Sequence, residues 1–144
     1  MEQRAWNMGY NENMNKESGT WNTVKITSFT QLIAWQEAHK LVLMIYKATD
    51  SFPKKELFVL TSQMLPSAIS ITSNIAEGFT RMGKQEKRQF YYTAKASLTE
   101  LQNQVLIAKD VGYIDKKTFD EVANQTIIAS RLLSGLIKGI AKLP

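Results

Sequence analysis

The 144-residue sequence contains no cysteine and a single histidine, His39. The first absence excludes disulfides, thiolate metal sites and cysteine nucleophiles, and it fits a reducing compartment such as the cytoplasm. One histidine cannot supply the two Glu-x-x-His motifs of a di-iron helical bundle, and beside Lys40 it reads as a surface or boundary residue. There is also no phosphate-cradling P-loop and no nucleophile elbow. The resulting expectation is a protein that is not an enzyme, with no catalytic residue, no metal and no cofactor. Apolar runs stay far short of the roughly 20 residues a membrane-spanning helix requires. The opening MEQRAWNMGYNENMNKES lacks the apolar core of a secretory signal. No membrane partner is expected, and cytoplasm is the expected location.

Proline and glycine are scarce as well, at three and seven residues. Long uninterrupted elements are therefore permitted, and the 44% of hydrophobic residues suffices for one core. Residues 1–27 are polar and aperiodic, with Trp6, Tyr10 and Trp21 among them, and read as a flexible tail. Residues 28–144 read as one antiparallel four-helix bundle.

The first helix is predicted from Phe29 to about Thr49, capped by Ser28 or Thr27. Ala34, Ala38, Leu41, Ile45 and Ala48 form its stripe, widened by Trp35, Val42 and Tyr46. The second is predicted from Pro53 to Glu77, with a seam of Leu57, Leu60, Met64, Ala68, Ile71 and Ile75. Pro66 should kink it and Gly78 should end it as a left-handed cap. The third runs from Gly83–Lys84 to Val111, where Gly112 terminates it; its seam is Phe90, Ala94, Ser97, Leu101, Gln104 and Ala108. The fourth starts near Asp115–Thr118, where Thr118 and Glu121 have capping-box spacing. Its seam of Phe119, Val122, Thr126, Ala129, Leu133, Leu136 and Ile140 alternates steps of three and four. Short connections between long helices imply an all-α, up-down-up-down bundle.

Charge is the remaining feature. The net charge is +5, and Arg4, Lys16 and Lys25 balance Glu2, Glu12 and Glu17 in the tail, so the excess lies on residues 28–144. Arg81, Lys84, Arg88 and Lys95 follow steps of three, four and seven, with Lys87 beside them and Tyr91 and Tyr92 between. Arg131, Lys138 and Lys142 form a second line on the fourth helix. Cations at such spacing can neutralise successive phosphates, and tyrosine can stack on exposed bases. A charged helix face is also a common solvated surface. Ser67, Ser70, Asn74 and Glu77 fall on one face of the second helix, where small polar groups allow a close helix or subunit contact. Glu77 stands at a helix C-terminus, where the dipole disfavours a carboxylate, so a basic or N–H partner is expected.

Six motifs occur in order: Phe29-x-x-Leu32-x-x-Trp35-Gln36-x-Ala38-His39-x-Leu41, Phe52-Pro53-x-x-Glu56, Leu60-Thr61-Ser62-Gln63, Ser73-Asn74-Ile75-Ala76-Glu77-Gly78, Ala96-Ser97-Leu98-x-Glu100-Leu101 and Gly112-Tyr113-Ile114. Over residues 28–142 these closely resemble the bacterial four-helix-bundle family of 23S rRNA intervening-sequence proteins. The resemblance implies up-down bundles assembled as homopentamers, without catalytic activity. It also implies kinship with the accessory variability protein of diversity-generating retroelements, a basic pentamer that binds a reverse transcriptase and nucleic acid. Two departures stand out. Leu65-Pro66 occupies a place where the family usually carries basic residues, and Lys95 precedes Ala96-Ser97-Leu98 where an arginine is usual. Two functions stay open: a homo-oligomeric RNA- or DNA-binding accessory protein, and a protein-interaction scaffold that binds no nucleic acid.

Overall fold

Ser28 sets the start of the helical region. Its backbone is extended, its hydroxyl accepts from the Thr30 amide, and the Gln31 side chain accepts from the Ser28 amide in return, closing a capping box. The computed structural model describes residues 10–15 and 20–144 of the chain. A 3₁₀ turn at Phe29–Gln31 precedes the first α-helix, α1, Ile33–Thr49. A second 3₁₀ segment, Lys54–Phe58, leads into α2, Thr61–Thr80. Two longer helices follow, α3 at Lys84–Asp110 and α4 at Lys116–Ile140. No described helix is long and apolar enough to cross a membrane.

The four helices form a closed ring of neighbours. α2 and α4 each pack against both α1 and α3, while α1 and α3 are not adjacent to one another. The core is built largely by the predicted seams: Leu41 and Ile45 of α1, Met64, Ile71 and Ile75 of α2, Ala94 and Leu101 of α3, and Val122, Leu133 and Ile140 of α4 are buried, while on α3 Leu98, outside the predicted seam, is buried as well and Phe90, inside it, is only partly so. A leucine-to-alanine change at such a position would cost about 2–5 kcal/mol, through lost transfer energy plus the cavity left behind. Ile26 and Leu32, before α1, are buried in the same core. Gln104 of α3 is buried too, and its Oε1 has no hydrogen-bond partner among the described residues.

Several local expectations need correction. The second helix starts at Thr61 rather than Pro53, because residues 54–58 wind as a tighter turn; Leu57, assigned to the seam, is consequently exposed. Tyr46, assigned to the widened stripe of α1, is exposed as well. Pro66 lies inside α2 on its exposed side, where the carbonyl it leaves unbonded can meet water. Gly78 is not a left-handed cap: α2 continues through it to Thr80, and Gly112 is the glycine with positive φ among the described residues, at 85°. There the Tyr113 amide donates to the Ala108 carbonyl and the Gly112 amide to the Lys109 carbonyl, closing α3 with a Schellman motif. At the start of α4, Asp115 is the cap, its Oδ1 accepting from the Thr118 amide at 2.8 Å. The Thr118–Glu121 capping box therefore does not form.

The tail reading also changes. Tyr10–Asn15 (β1) pairs antiparallel with Thr20–Lys25 (β2), with Met14 opposite Trp21 and Tyr10 opposite Lys25. The sequence holds a period of two that its polarity obscures: Asn11, Asn13 and Asn15 alternate with Tyr10, Glu12 and Met14. β2 adds the β-favouring residues Thr20, Trp21, Thr23 and Val24. Residues 1–9 and 16–19, with Trp6, lie outside the described residues.

Candidate nucleic-acid interface

The basic stripe begins where α2 turns into α3, and this corner is built around Gly78. A Cβ at this position would stand 2.6 Å from Tyr91 Cε1, 2.9 Å from Tyr91 Cδ1 and 3.0 Å from Phe90 Cβ. The missing side chain is what lets α3 lay the Tyr91 ring directly on the α2 backbone. Tyr91 is 4% exposed, and burial raises its phenol far above the usual tyrosine pKa. It cannot stack on a base. Tyr92, its neighbour in sequence, is about half exposed and offers that chemistry instead.

Lys87 is likewise drawn into the fold. Its Nζ donates to the Phe79 carbonyl at 2.8 Å and to the Gly78 carbonyl at 3.2 Å, the latter also accepting from the Arg81 amide, so it helps to satisfy the carbonyls at the end of α2. The ammonium lies 5.7 Å from the Phe79 ring centroid, and burial pushes its pKa below the usual lysine value. Arg81 is the C-terminal cap residue of α2 rather than a member of α3. Its guanidinium sits 4.7 Å over the Phe90 ring and 3.8 Å from Glu77. That carboxylate is mostly exposed, so the pair adds little to stability.

What remains for a polyanion is a smaller set. Lys84 and Arg88 are exposed and Lys95 is half-buried, all on α3; Arg131 and Lys138 on α4 and Lys142 just past its end are exposed. Among the described residues none of these six has an ion-pair or hydrogen-bond partner. The small polar face of α2 meets α3. Ser70 Oγ lies 2.8 Å from Ser97 Oγ, Asn74 Nδ2 donates back to Ser70 O at 2.8 Å and to Ser70 Oγ at 3.1 Å, and Ser67 is buried. His39 is exposed and stacks on Trp35, with centroids 4.7 Å apart and planes at 16°.

Two concavities lie elsewhere. One of about 540 Å³ is bounded by Lys47 in the last turn of α1, by Ser51 just past it, and by Tyr113, Asp115 and Glu121. The other, of about 250 Å³, lies between α3 and α4 and is nearly all apolar, lined by Val105, Leu106, Phe119, Ala123 and Ile127 with Gln102 and Thr126. Sequence periodicity missed this second feature, because Leu106 and Ile127 fall outside the buried seams.

Residues 30–135 match the profile of the 23S rRNA-intervening sequence protein family. A solved structure described as a protein with unknown function from the S23 ribosomal protein family of Bacteroides thetaiotaomicron superposes with a TM-score of 0.68 at 19% identity, covering 74% of this chain and 96% of that one. At that identity the likeness bears on the fold alone. No curated protein matches the chain. With a family profile matched across most of its length and a four-helix core to go with it, the chain belongs to the 23S rRNA-intervening sequence protein family.

Proposed function

We propose that the protein is a non-enzymatic, homo-oligomeric helical bundle that binds RNA or DNA as an accessory factor. In this reading Lys84, Arg88 and Lys95 of α3, with Arg131, Lys138 and Lys142, contact phosphates, and Tyr92 stacks on an unpaired base. The observation that carries it is the set of six cations left without partners once the fold has claimed Arg81 and Lys87. Unneutralised positive charge on a folded surface attracts polyanions and releases their counterions. The reading includes an antiparallel, up-down-up-down topology. Cross-helix partners support it, because their numbers run in opposite directions: 70 meets 97 while 78 meets 91, and 102 meets 126 while 109 meets 119. The pentameric state and a reverse transcriptase as protein partner come from the family resemblance.

Specificity in this reading resides in nucleic-acid shape or a protein partner, since the cations offer no base-edge code. Mobility shifts with single-stranded and structured RNA and with DNA, at low and moderate salt, test it. Binding that weakens steeply as salt rises is expected; no shift even at low salt rejects it. The exposed apolar side chains Phe58, Leu106 and Ile127 favour a second reading, a protein-interaction scaffold. The two separate on purification: a nucleic-acid binder carries a 260 nm absorbance excess that high salt removes, and a pure scaffold does not.

A further inference from the structure

The free cations of α3 and α4 are not two separate patches. Lys84, Arg88 and Lys95 follow steps of four and seven along α3, and Lys142, Lys138 and Arg131, taken in the opposite direction, follow the same steps. Contacts between the helices set the two rows against one another. Gln102 Nε2 donates to Thr126 Oγ1 at 3.1 Å, and Lys109 Nζ lies 4.4 Å from the Phe119 ring centroid, so numbering rises on α3 as it falls on α4. Carried along the pair at the same pace, Arg88 comes level with Ile140 and Lys95 with Leu133. Lys138 and Arg131 are each two residues, about 3 Å, from those levels. Helical turns continue past Ile140, the Lys142 amide donating to the Gly139 carbonyl, and bring Lys142 near the level of Lys84. The six cations thus stand in three rungs along a track about 16 Å long.

The seam between α3 and α4 changes character along its length. Its hollow of about 250 Å³ has Gln102 and Leu106 on one wall and Ala123 and Ile127 on the other. A step of seven residues keeps the same face of a helix in a bundle. One such step toward the α2–α3 end leads from these residues to Lys95, Thr99, Ser130 and Ser134, and a second step on α3 leads to Arg88 and Tyr92. The apolar hollow therefore gives way to a stretch walled by cations and hydroxyls. Acidic side chains follow the same division. Asp110, Asp115, Asp120 and Glu121 lie toward the hollow's end, among Lys109, Lys116 and Lys117, whereas α4 has none after Glu121. From Lys84 to Thr99 the acidic residue of α3 is Glu86, about half a turn around the helix from Lys84 and Arg88.

We infer that this basic stretch is one site, which takes a single strand of nucleic acid lengthwise along the α3/α4 seam, its backbone between the two rows and an unpaired base on Tyr92. The inference rests on the nucleic-acid reading above and deepens it, from six separate contacts to one track with a direction. Packed helices lie about 8–10 Å apart, so cations of both rows reach a single backbone between them. Like charges held level across a seam repel, and an anionic backbone relieves that repulsion at every rung. Ser130 and Ser134, half-buried on the α4 wall, are placed to donate to phosphate oxygens. Tyr92 selects the single strand, because its half-exposed ring stacks only where a base is unpaired.

Fluorescence anisotropy with a labelled oligouridylate of about twelve nucleotides, alone and annealed to oligoadenylate, tests this over a salt series. The full chain is compared with Ser134→Glu and Thr99→Glu, which put a carboxylate on each wall of the track without removing a cation. Ser73→Glu, exposed on α2, makes the same charge change away from the seam. Circular dichroism melts confirm that each variant is folded; Thr99 is exposed, so one seam variant survives even if the half-buried Ser134 does not tolerate the change. Wild type is expected to bind the single strand more tightly than the duplex. Each seam variant should bind it at least about tenfold more weakly, and Ser73→Glu within about twofold of wild type. Folded seam variants that bind as well as Ser73→Glu overturn the inference and leave the nucleic-acid reading standing, as does a wild type that prefers the duplex. A wild type that binds neither probe at low salt overturns both.

Discussion

Cations at helical spacing meet two different fates in this protein. At the α2–α3 corner, Lys87 caps the carbonyls of Gly78 and Phe79, Arg81 lies over Phe90, and Tyr91 is buried against Gly78. Arg131 and Lys138 along α4, and Lys142 just past its end, are exposed, and none of their side chains has a partner among the described residues. The residue types and steps are alike in both places. What differs is the neighbourhood. A helix ending beside another's start exposes free carbonyls and aromatic faces that compete for a cation, whereas the side of a continuous helix offers neither. A basic stripe near a tight interhelical turn therefore overstates the charge available to a ligand.

That contrast can be broken in several ways. The largest effect is expected from Lys84→Ala, Arg88→Ala and Lys95→Ala combined. Affinity for single-stranded RNA should fall at least about tenfold, and the salt slope should drop by roughly 0.7 for each phosphate no longer neutralised. Fluorescence anisotropy at several salt concentrations measures both, and unchanged affinity would remove these residues from the interface. The parallel triple Arg131→Ala, Lys138→Ala, Lys142→Ala shows whether α4 shares the site.

Gly78→Ala comes next. Alanine improves helix propensity by about 1 kcal/mol, but its Cβ would overlap the buried Tyr91 ring, and overpacking of this kind costs about 1–3 kcal/mol. A net loss of stability in urea titration is expected. Combining it with Tyr91→Leu should recover part of the loss, a non-additivity that reports the contact directly.

Lys87→Met should cost about 1 kcal/mol of stability, by removing the side-chain donor to the Phe79 carbonyl and one of the two donors to the Gly78 carbonyl. It should barely change nucleic-acid affinity. A variant that binds much more weakly yet melts normally would place Lys87 in the interface after all.

The smallest effect concerns Asp115, remote from both regions. The Thr118 amide, the largest influence, holds its carboxyl below the ordinary aspartate value. A depressed carboxylate stabilises fully above the unfolded pKa of about 3.9 and loses that contribution as pH falls through the lower folded value. Asp115→Asn keeps an acceptor at the cap but does not titrate, so its melting temperature should fall less than wild type's below about pH 4. Parallel acid limbs for the two proteins would exclude the effect.

Much of the fold was legible because the buried seams repeat at three and four residues. Every seam position of α4 from Val122 to Ile140 is buried, and α3 ends where Gly112 was expected to end it. Less legible were features set by two segments at once. Gly78 has the sequence context of a helix terminator, yet its function is to admit Tyr91 from another helix. The pairing of Tyr10–Asn15 with Thr20–Lys25 needs two strands whose polar composition resembles coil when each is read alone.

The amino-acid order determined the number of helices, most of the core residues and the excess of positive charge, because these depend on local periodicity and composition. Which cations stay free, which tyrosine remains available and where apolar side chains face outward were decided only in the tertiary structure. Those properties depend on what stands within a few ångströms of each side chain, and that distance is set by helices far apart in sequence.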